Sequence, residues 1–127
     1  MDDLEVTYRG YLTVLNERRF EDLSNFVHDD LQYNGAPITR DDYARMLRAD
    51  VAAIPDLVFR IELLVVQDDT VAARLWFDCV PATDYFGLPV QGRHVEFAEH
   101  VFYRFRSGRI DRVWSLIDTP AISAQVS

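Results

Sequence analysis

Cysteine is nearly missing from this 127-residue chain: Cys79 stands alone, so no internal disulfide is available and nothing points to a stapled, secreted scaffold. Positive charge is scarce as well. The 13 Lys and Arg face 21 Asp and Glu, a formal net charge of −8, which repels phosphate backbones and anionic membranes and so argues against nucleic acid or membrane as a partner. Long hydrophobic runs are absent, the longest being a few residues against the roughly 20 that cross a bilayer. The N-terminus, Met1-Asp2-Asp3-Leu4-Glu5, is acidic and lacks the basic start and apolar run of a signal peptide, so a cytoplasmic location is expected. There is no Gly-rich phosphate loop, no Gly-x-Ser-x-Gly elbow and no zinc-ligand spacing, which removes most cofactor and triad chemistries. What the chain has is apolar bulk: 49% hydrophobic and 13% aromatic residues, enough for one well-cored domain over residues 1–127.

The first third carries helical spacing. Leu4, Tyr8, Tyr11, Leu12 and Leu15 fall on one helix face, and Phe20, Leu23, Phe26 and Val27 continue as a short second helix over 20–27. His28-Asp29-Asp30 ends that pattern, and residues 31–37 read as extended up to the Asn34-Gly35 turn and Pro37. A third helix over about 40–53 has Thr39 as N-cap and Asp41 and Asp42 in its first turn, with Tyr43, Met46, Leu47, Val51 and Ile54 on one face. Two hairpins follow: 57–66 with 71–80, and 94–106 with 109–118 around Ser107-Gly108. Between them, residues 81–92 form a loop. The tail 119–127 carries no structural signal. Helices first and antiparallel strands after make an α+β domain, three helices on one face of a sheet, with a small-molecule pocket expected between the layers.

Strand alternation singles out one residue. From His94 onward, the odd positions Val95, Phe97, Glu99, Val101, Tyr103 and Phe105 form an apolar face interrupted only by a carboxylate, Glu99. The even positions are mostly polar. A two-residue Ser107-Gly108 turn pairs Arg106 with Arg109, which sets Glu99 opposite Leu116 and Phe97 opposite Asp118. Two carboxylates a diagonal apart in aromatic surroundings suit general acid–base work, because desolvation and mutual repulsion separate their pKa values. The plainer alternatives are an arginine partner for Glu99 (Arg112 or Arg74) and a capping role for Asp118.

Tyr33 and Asn34 stand where the helical region gives way to extended chain and are candidate donors to a developing oxyanion, a packed tyrosine in an Asn-Gly turn being the alternative. His28 reads as a helix C-terminal residue. His94, Glu96 and His100 share a strand face but span about 20 Å at roughly 3.3 Å per residue, too far for one metal ion. His100 titrates near neutrality, yet it points away from Glu99 unless a bulge intervenes. Cys79 reads as a small buried hydrophobe.

The segments Phe26–Asn34 (FVHDDLQYN), Phe86–Arg93 (FGLPVQGR) and Phe97–Asp118 (FAEHVFYRFRSGRIDRVWSLID) resemble the SnoaL-like polyketide cyclases and predicted ester cyclases of the nuclear transport factor 2-like superfamily. The resemblance covers nearly the whole chain. It implies a cone-shaped α+β roll, usually a homodimer through the outer sheet face. It also implies cofactor-free acid–base chemistry on a small hydrophobic carbonyl compound, by cyclisation, isomerisation or lactone rearrangement. The catalytic aspartate of characterised cyclases, seven residues after the turn glycine, falls on Ser115, and the family's strand histidine falls on Val101. Glu99 matches a cavity-lining polar position, Tyr33 or Asn34 an active-site asparagine, and Asp118 an aspartate common across the wider family. A bulged hairpin, usual in the family, shifts the register by one, turning Glu99 toward Ser115 and Asp118 outward.

Three readings follow. The first is a cyclase- or isomerase-type enzyme: Glu99 is the general acid or base, Tyr33 and Asn34 polarise a carbonyl, and Asp118 or His100 is the second proton donor. Tyr11, Trp76, Tyr85, Trp114 and Ser115 line or gate the pocket, and loop 84–92 closes over it. The second is a ligand-binding or dimerisation domain without chemistry. The third is an epoxide hydrolase of the limonene type, which needs an Asp-Arg-Asp set.

Overall fold

A computed structural model describes residues 3–127. Helix α1 (Asp3–Asn16) buries Tyr8, Tyr11, Leu12, Val14 and Leu15, the face that the spacing predicts plus Val14, with Leu4 only partly buried. It lies close on Phe26: a Cβ at Gly10 would come within 3.3 Å of that ring.

The expected second helix is instead a 3-10 helix over Phe20–Asn25. Phe20, Leu23 and Phe26 stand three apart, the repeat of a 3-10 turn, and the backbone bonds Asp22 N–H to Arg19 C=O and Phe26 N–H to Leu23 C=O confirm that winding. Strand β1 (Val27–Tyr33) therefore starts earlier than the sequence suggested. His28 is a buried strand residue rather than a helix end, its Nε2 2.6 Å from the Arg106 carbonyl.

Asn34 and Gly35 both adopt positive φ, 50° and 85°, in the tight turn to β2 (Ala36–Thr39). Helix α2 (Arg40–Ala53) has the expected start. The Thr39 hydroxyl accepts from the Asp42 N–H at 3.1 Å, and the Asp42 carboxylate accepts from the Thr39 N–H at 3.0 Å.

Strands β3 (Arg60–Gln67), β4 (Thr70–Cys79), β5 (Val95–Arg106) and β6 (Arg109–Ile117) follow. They form one six-stranded sheet in the order β2-β1-β6-β5-β4-β3, antiparallel except where β1 runs parallel to β6. The tail carries structure after all: α3 (Thr119–Val126) buries Ile122. No helix among the described residues is long and apolar enough to cross a membrane.

The register of β5 and β6 decides the site. Arg106 pairs with Arg109 across the Ser107-Gly108 turn as expected, but a bulge at Asp111 follows, so that Phe105 faces Ile110 while Arg104 faces Arg112. The extra residue is pinned by charge. Asp111 is buried, accepts from Arg104 Nε and Nη2 at 3.0 and 2.6 Å and from Arg106 Nε at 3.1 Å, and these guanidiniums hold its carboxyl below the usual range. Beyond the bulge Glu99 pairs with Ile117, neither with Leu116 nor, as the bulge implied by the resemblance would have it, with Ser115, which pairs with Val101. Val113, Ser115 and Ile117 thus turn inward, while Trp114 and Leu116 face outward.

Candidate active site

Between α2, the sheet and loop 80–94 lies a cavity of about 690 Å³. Its walls are largely apolar, with Phe59, Phe77, Phe97 and Phe86 among them, and its polar lining includes Tyr33, Asp50, Tyr85, Glu99 and Ser115. A smaller chamber of about 40 Å³ shares Tyr33, Asp50, Phe59 and Glu99 with it and is bounded also by Tyr11, Tyr43 and Tyr103. No cation lines either space among the described residues.

Glu99 reaches this space because it sits on the inward face of β5, level with the aromatic residues of that face. Burial pushes its carboxyl from 4.5 up to about 7; the Ser115 hydroxyl, which donates to Glu99 Oε2, works against that rise, and the charge of Asp50 adds to it. No arginine among the described residues bonds to it, Arg74 being held by Glu62 on the outer face, so the ion-pair alternative is not realised. Asp50 projects from the last turn of α2. Burial raises it to about 6, opposed by the Tyr85 hydroxyl, which donates to Asp50 Oδ1 at 3.3 Å. Burial also keeps the Tyr33 and Tyr85 phenols protonated, well above their usual range in the case of Tyr85.

Asp50 is the residue that the sequence reading passed over, and a signal for it existed. Tyr43, Met46, Leu47, Asp50 and Ile54 follow the i, i+3, i+4, i+7, i+11 rule, so a carboxylate lies in the buried stripe of α2. Its neighbourhood with Glu99 joins a helix and a strand 49 positions apart, which no local pattern encodes.

The other candidates divide. Tyr33, Asn34, Tyr85 and Ser115 line the main cavity, and Tyr11 the smaller chamber, where its hydroxyl lies 2.6 Å from that of Tyr43. Four do not reach either space. Asp118 caps α3, its carboxylate accepting from the Ala121 N–H at 3.2 Å, because the bulge carries it out of the register that would face Phe97. His100 lies on the outer face, Nε2 2.6 Å from Arg74 Nη1, with no bulge in β5 to turn it inward. Trp76 packs there against Arg74, 5.7 Å from ring centroid to guanidinium carbon, and Trp114 is 41% exposed on the same face.

His94 pairs with Asp78, and no group of three His, Cys, Asp or Glu among the described residues stands together to hold a metal ion. Cys79 is buried and its thiol is pushed up to about 12 by that burial.

The family model of the SnoaL-like polyketide cyclases matches residues 5–126. Among solved structures, a SnoaL-like polyketide cyclase from Agrobacterium tumefaciens strain C58 is 46% identical, each chain covered over 100% of its length, with a TM-score of 0.96. TsrD from Streptomyces laurentii (20% identical, 100% of this chain and 98% of that one, TM-score 0.85) and IdmH from Streptomyces antibioticus (23%, 98% of each chain, TM-score 0.84) share the fold. No curated protein matches.

Proposed function

The chain belongs to the SnoaL-like polyketide cyclase family, and from that premise we propose that it closes or isomerises a small hydrophobic carbonyl compound by acid–base chemistry carried by Glu99 and Asp50. The observation that carries this reading is a pair of carboxyl groups in one apolar cavity, raised to about 7 and about 6, with phenols rather than cations around them. Two such groups share one proton near neutrality: Asp50 ionises first, and its charge helps Glu99 to keep its proton. The cavity is large enough for a ligand of drug-like size.

In this scheme the Asp50 carboxylate takes a proton from the carbon α to a carbonyl. The enolate carbon then attacks a second carbonyl carbon of the same molecule, whose oxygen receives the Glu99 proton. One C–C bond forms, one C–H proton is transferred, and the product is an isomer of the substrate. Proton exchange with solvent restores both carboxyl groups. Tyr33 supplies a neutral donor to the enolate oxygen, and Tyr85 holds Asp50 from the loop side. Iminium chemistry is closed to the chain's side chains, since it contains no lysine.

The test is deuterium exchange at the α-carbon of a panel of apolar ketones and 1,3-diketones in D₂O, followed by proton NMR. Catalysed exchange that sets in as Asp50 ionises near pH 6 and is lost in Asp50→Asn supports the reading; Glu99, which gives its proton only after the enolate has formed, is not needed for exchange. Exchange no faster than buffer across the panel, or undiminished in Asp50→Asn, contradicts it.

A second copy of this chain is the proposed partner, on the outer sheet face. Cross-strand neighbours there make a row Val65, Ala72, Phe102, Trp114 beside a row Leu63, Arg74, His100, Leu116. Val65 is 61% exposed, Phe102 50% and Trp114 41%, an apolar row of the kind that pairing covers.

A further inference from the structure

We propose that Asn34 is a positioning residue: its side-chain amide completes the hydrogen bonding of β6 at Ser115 and thereby fixes the hydroxyl that bonds Glu99. The inference rests on Glu99 being the proton-carrying group of the cavity.

The geometry begins with a broken ladder. β1 pairs with β6 up to Tyr33 opposite Val113, and the Asn34 N–H still reaches the Val113 carbonyl at 2.9 Å. At Asn34 the backbone enters the left-handed region, φ 50°, and the chain turns away toward β2. Ser115 N–H and C=O both point to the side that β1 has just left. The Asn34 carboxamide takes both of them, its Oδ1 accepting from the Ser115 N–H at 2.8 Å and its Nδ2 donating to the Ser115 C=O at 3.2 Å. An asparagine is common in such a turn for its tolerance of positive φ alone. That preference does not account for an amide that reaches 81 residues along the chain and engages both polar groups of one residue.

The same two-bonded amide occurs twice more among the described residues. Asn16 holds the backbone of Phe59 at 2.7 and 3.1 Å, and Gln125 that of Glu96 at 2.9 and 2.6 Å. Neither of those clamped residues offers a hydroxyl to a cavity carboxyl. Ser115 does, through its bond to Glu99 Oε2. With both polar ends of its amide occupied, Asn34 acts on the site through Ser115 rather than as a donor to substrate.

The groups facing Glu99 are Asp50 and Tyr43 of α2, Tyr8 and Tyr11 of α1, Tyr33 of β1, Tyr85 of the loop and Tyr103 of its own strand, none of them a cation. Ser115 is the hydrogen-bond donor to Glu99 in this structure. Loosening Ser115 therefore removes a stabiliser of the ionised form, and the midpoint of Glu99 moves up.

The experiment is a carbon-13 carboxyl NMR titration of the whole protein as wild type, Asn34→Gly, Ser115→Ala and the double variant. Gly keeps the left-handed turn and deletes only the amide. The expected result is a rise of about one pH unit in Ser115→Ala, the worth of one charge-assisted hydrogen bond, a rise of at least half that in Asn34→Gly, and no further rise in the double variant. An unmoved Glu99 in Asn34→Gly, or a double variant shifted by the sum of the two, overturns the positioning role. Should Asn34→Gly not fold, Asn34→Ser is read in the same way. A wild-type midpoint in the ordinary carboxylate range would instead overturn the proposed function, whatever the variants do.

Discussion

Replacing Glu99 by glutamine is expected to stabilise the protein, and to do so only where Glu99 is charged. Burial raises this carboxyl from 4.5 to about 7. The folded chain thus holds the proton more tightly than the unfolded chain does, so ionisation costs stability as pH climbs from the unfolded midpoint to the folded one. The cost is absent below pH 4.5 and complete above pH 7. At about 1.4 kcal/mol per unit it amounts to about 3 kcal/mol at pH 8.5 and less than about 1 kcal/mol at pH 5. Glutamine has nearly the same shape, carries no charge, and can still accept from the Ser115 hydroxyl. Thermal melts of both proteins at the two pH values read the effect: a gain of roughly 10 °C for Glu99→Gln at pH 8.5 and little at pH 5. A loss of stability at both values would mean that Glu99 is held by a partner, and a gain of equal size at both would mean that its charge is not the source of the strain; either result refutes the reasoning.

Three other outcomes follow from the same geometry. Asp50→Asn removes the charge that helps to raise Glu99, so the Glu99 midpoint falls below about 7, and α-proton exchange drops by about 10²- to 10⁴-fold; unchanged exchange would dismiss Asp50 as the base. Asp118→Ala deletes the α3 cap and costs about 1 kcal/mol in urea denaturation while leaving the Glu99 titration where it was; a shifted titration would return Asp118 to the site. Phe102→Glu puts a charge within the apolar row of the outer sheet face and is expected to leave the chain monomeric in analytical ultracentrifugation, whereas a wild-type chain sedimenting as a monomer at high concentration contradicts the paired-sheet proposal.

Local chemistry explains which parts of this molecule were legible beforehand. The bounds of α2 and the two-residue turn between β5 and β6 are written in Thr39, Asp42, Ser107 and Gly108, residues that act within three or four positions of themselves. The inward direction of Glu99 follows from alternation along one strand. The register of β6 does not, because it depends on one carboxylate, Asp111, gathering Arg104 and Arg106 across the hairpin into a bulge; without that knowledge Trp114 and Ser115 exchange faces. The 3-10 winding of Phe20–Asn25 was present in the three-residue spacing of Phe20, Leu23 and Phe26, yet the following Val27 made it resemble an α-helix. Asp50 was hidden for another reason: a carboxylate in a helical stripe signals a site only when something across the fold faces it, and that something lies 49 residues away.

Acid–base chemistry in this cavity depends on where its two carboxyl groups titrate, and carbon-13 carboxyl chemical shifts of the wild-type protein, followed from pH 3 to 9, measure that without any substrate. Midpoints near 6 for Asp50 and near 7 for Glu99 are what the cavity predicts. Both groups changing near pH 4, as freely solvated side chains do, would contradict it.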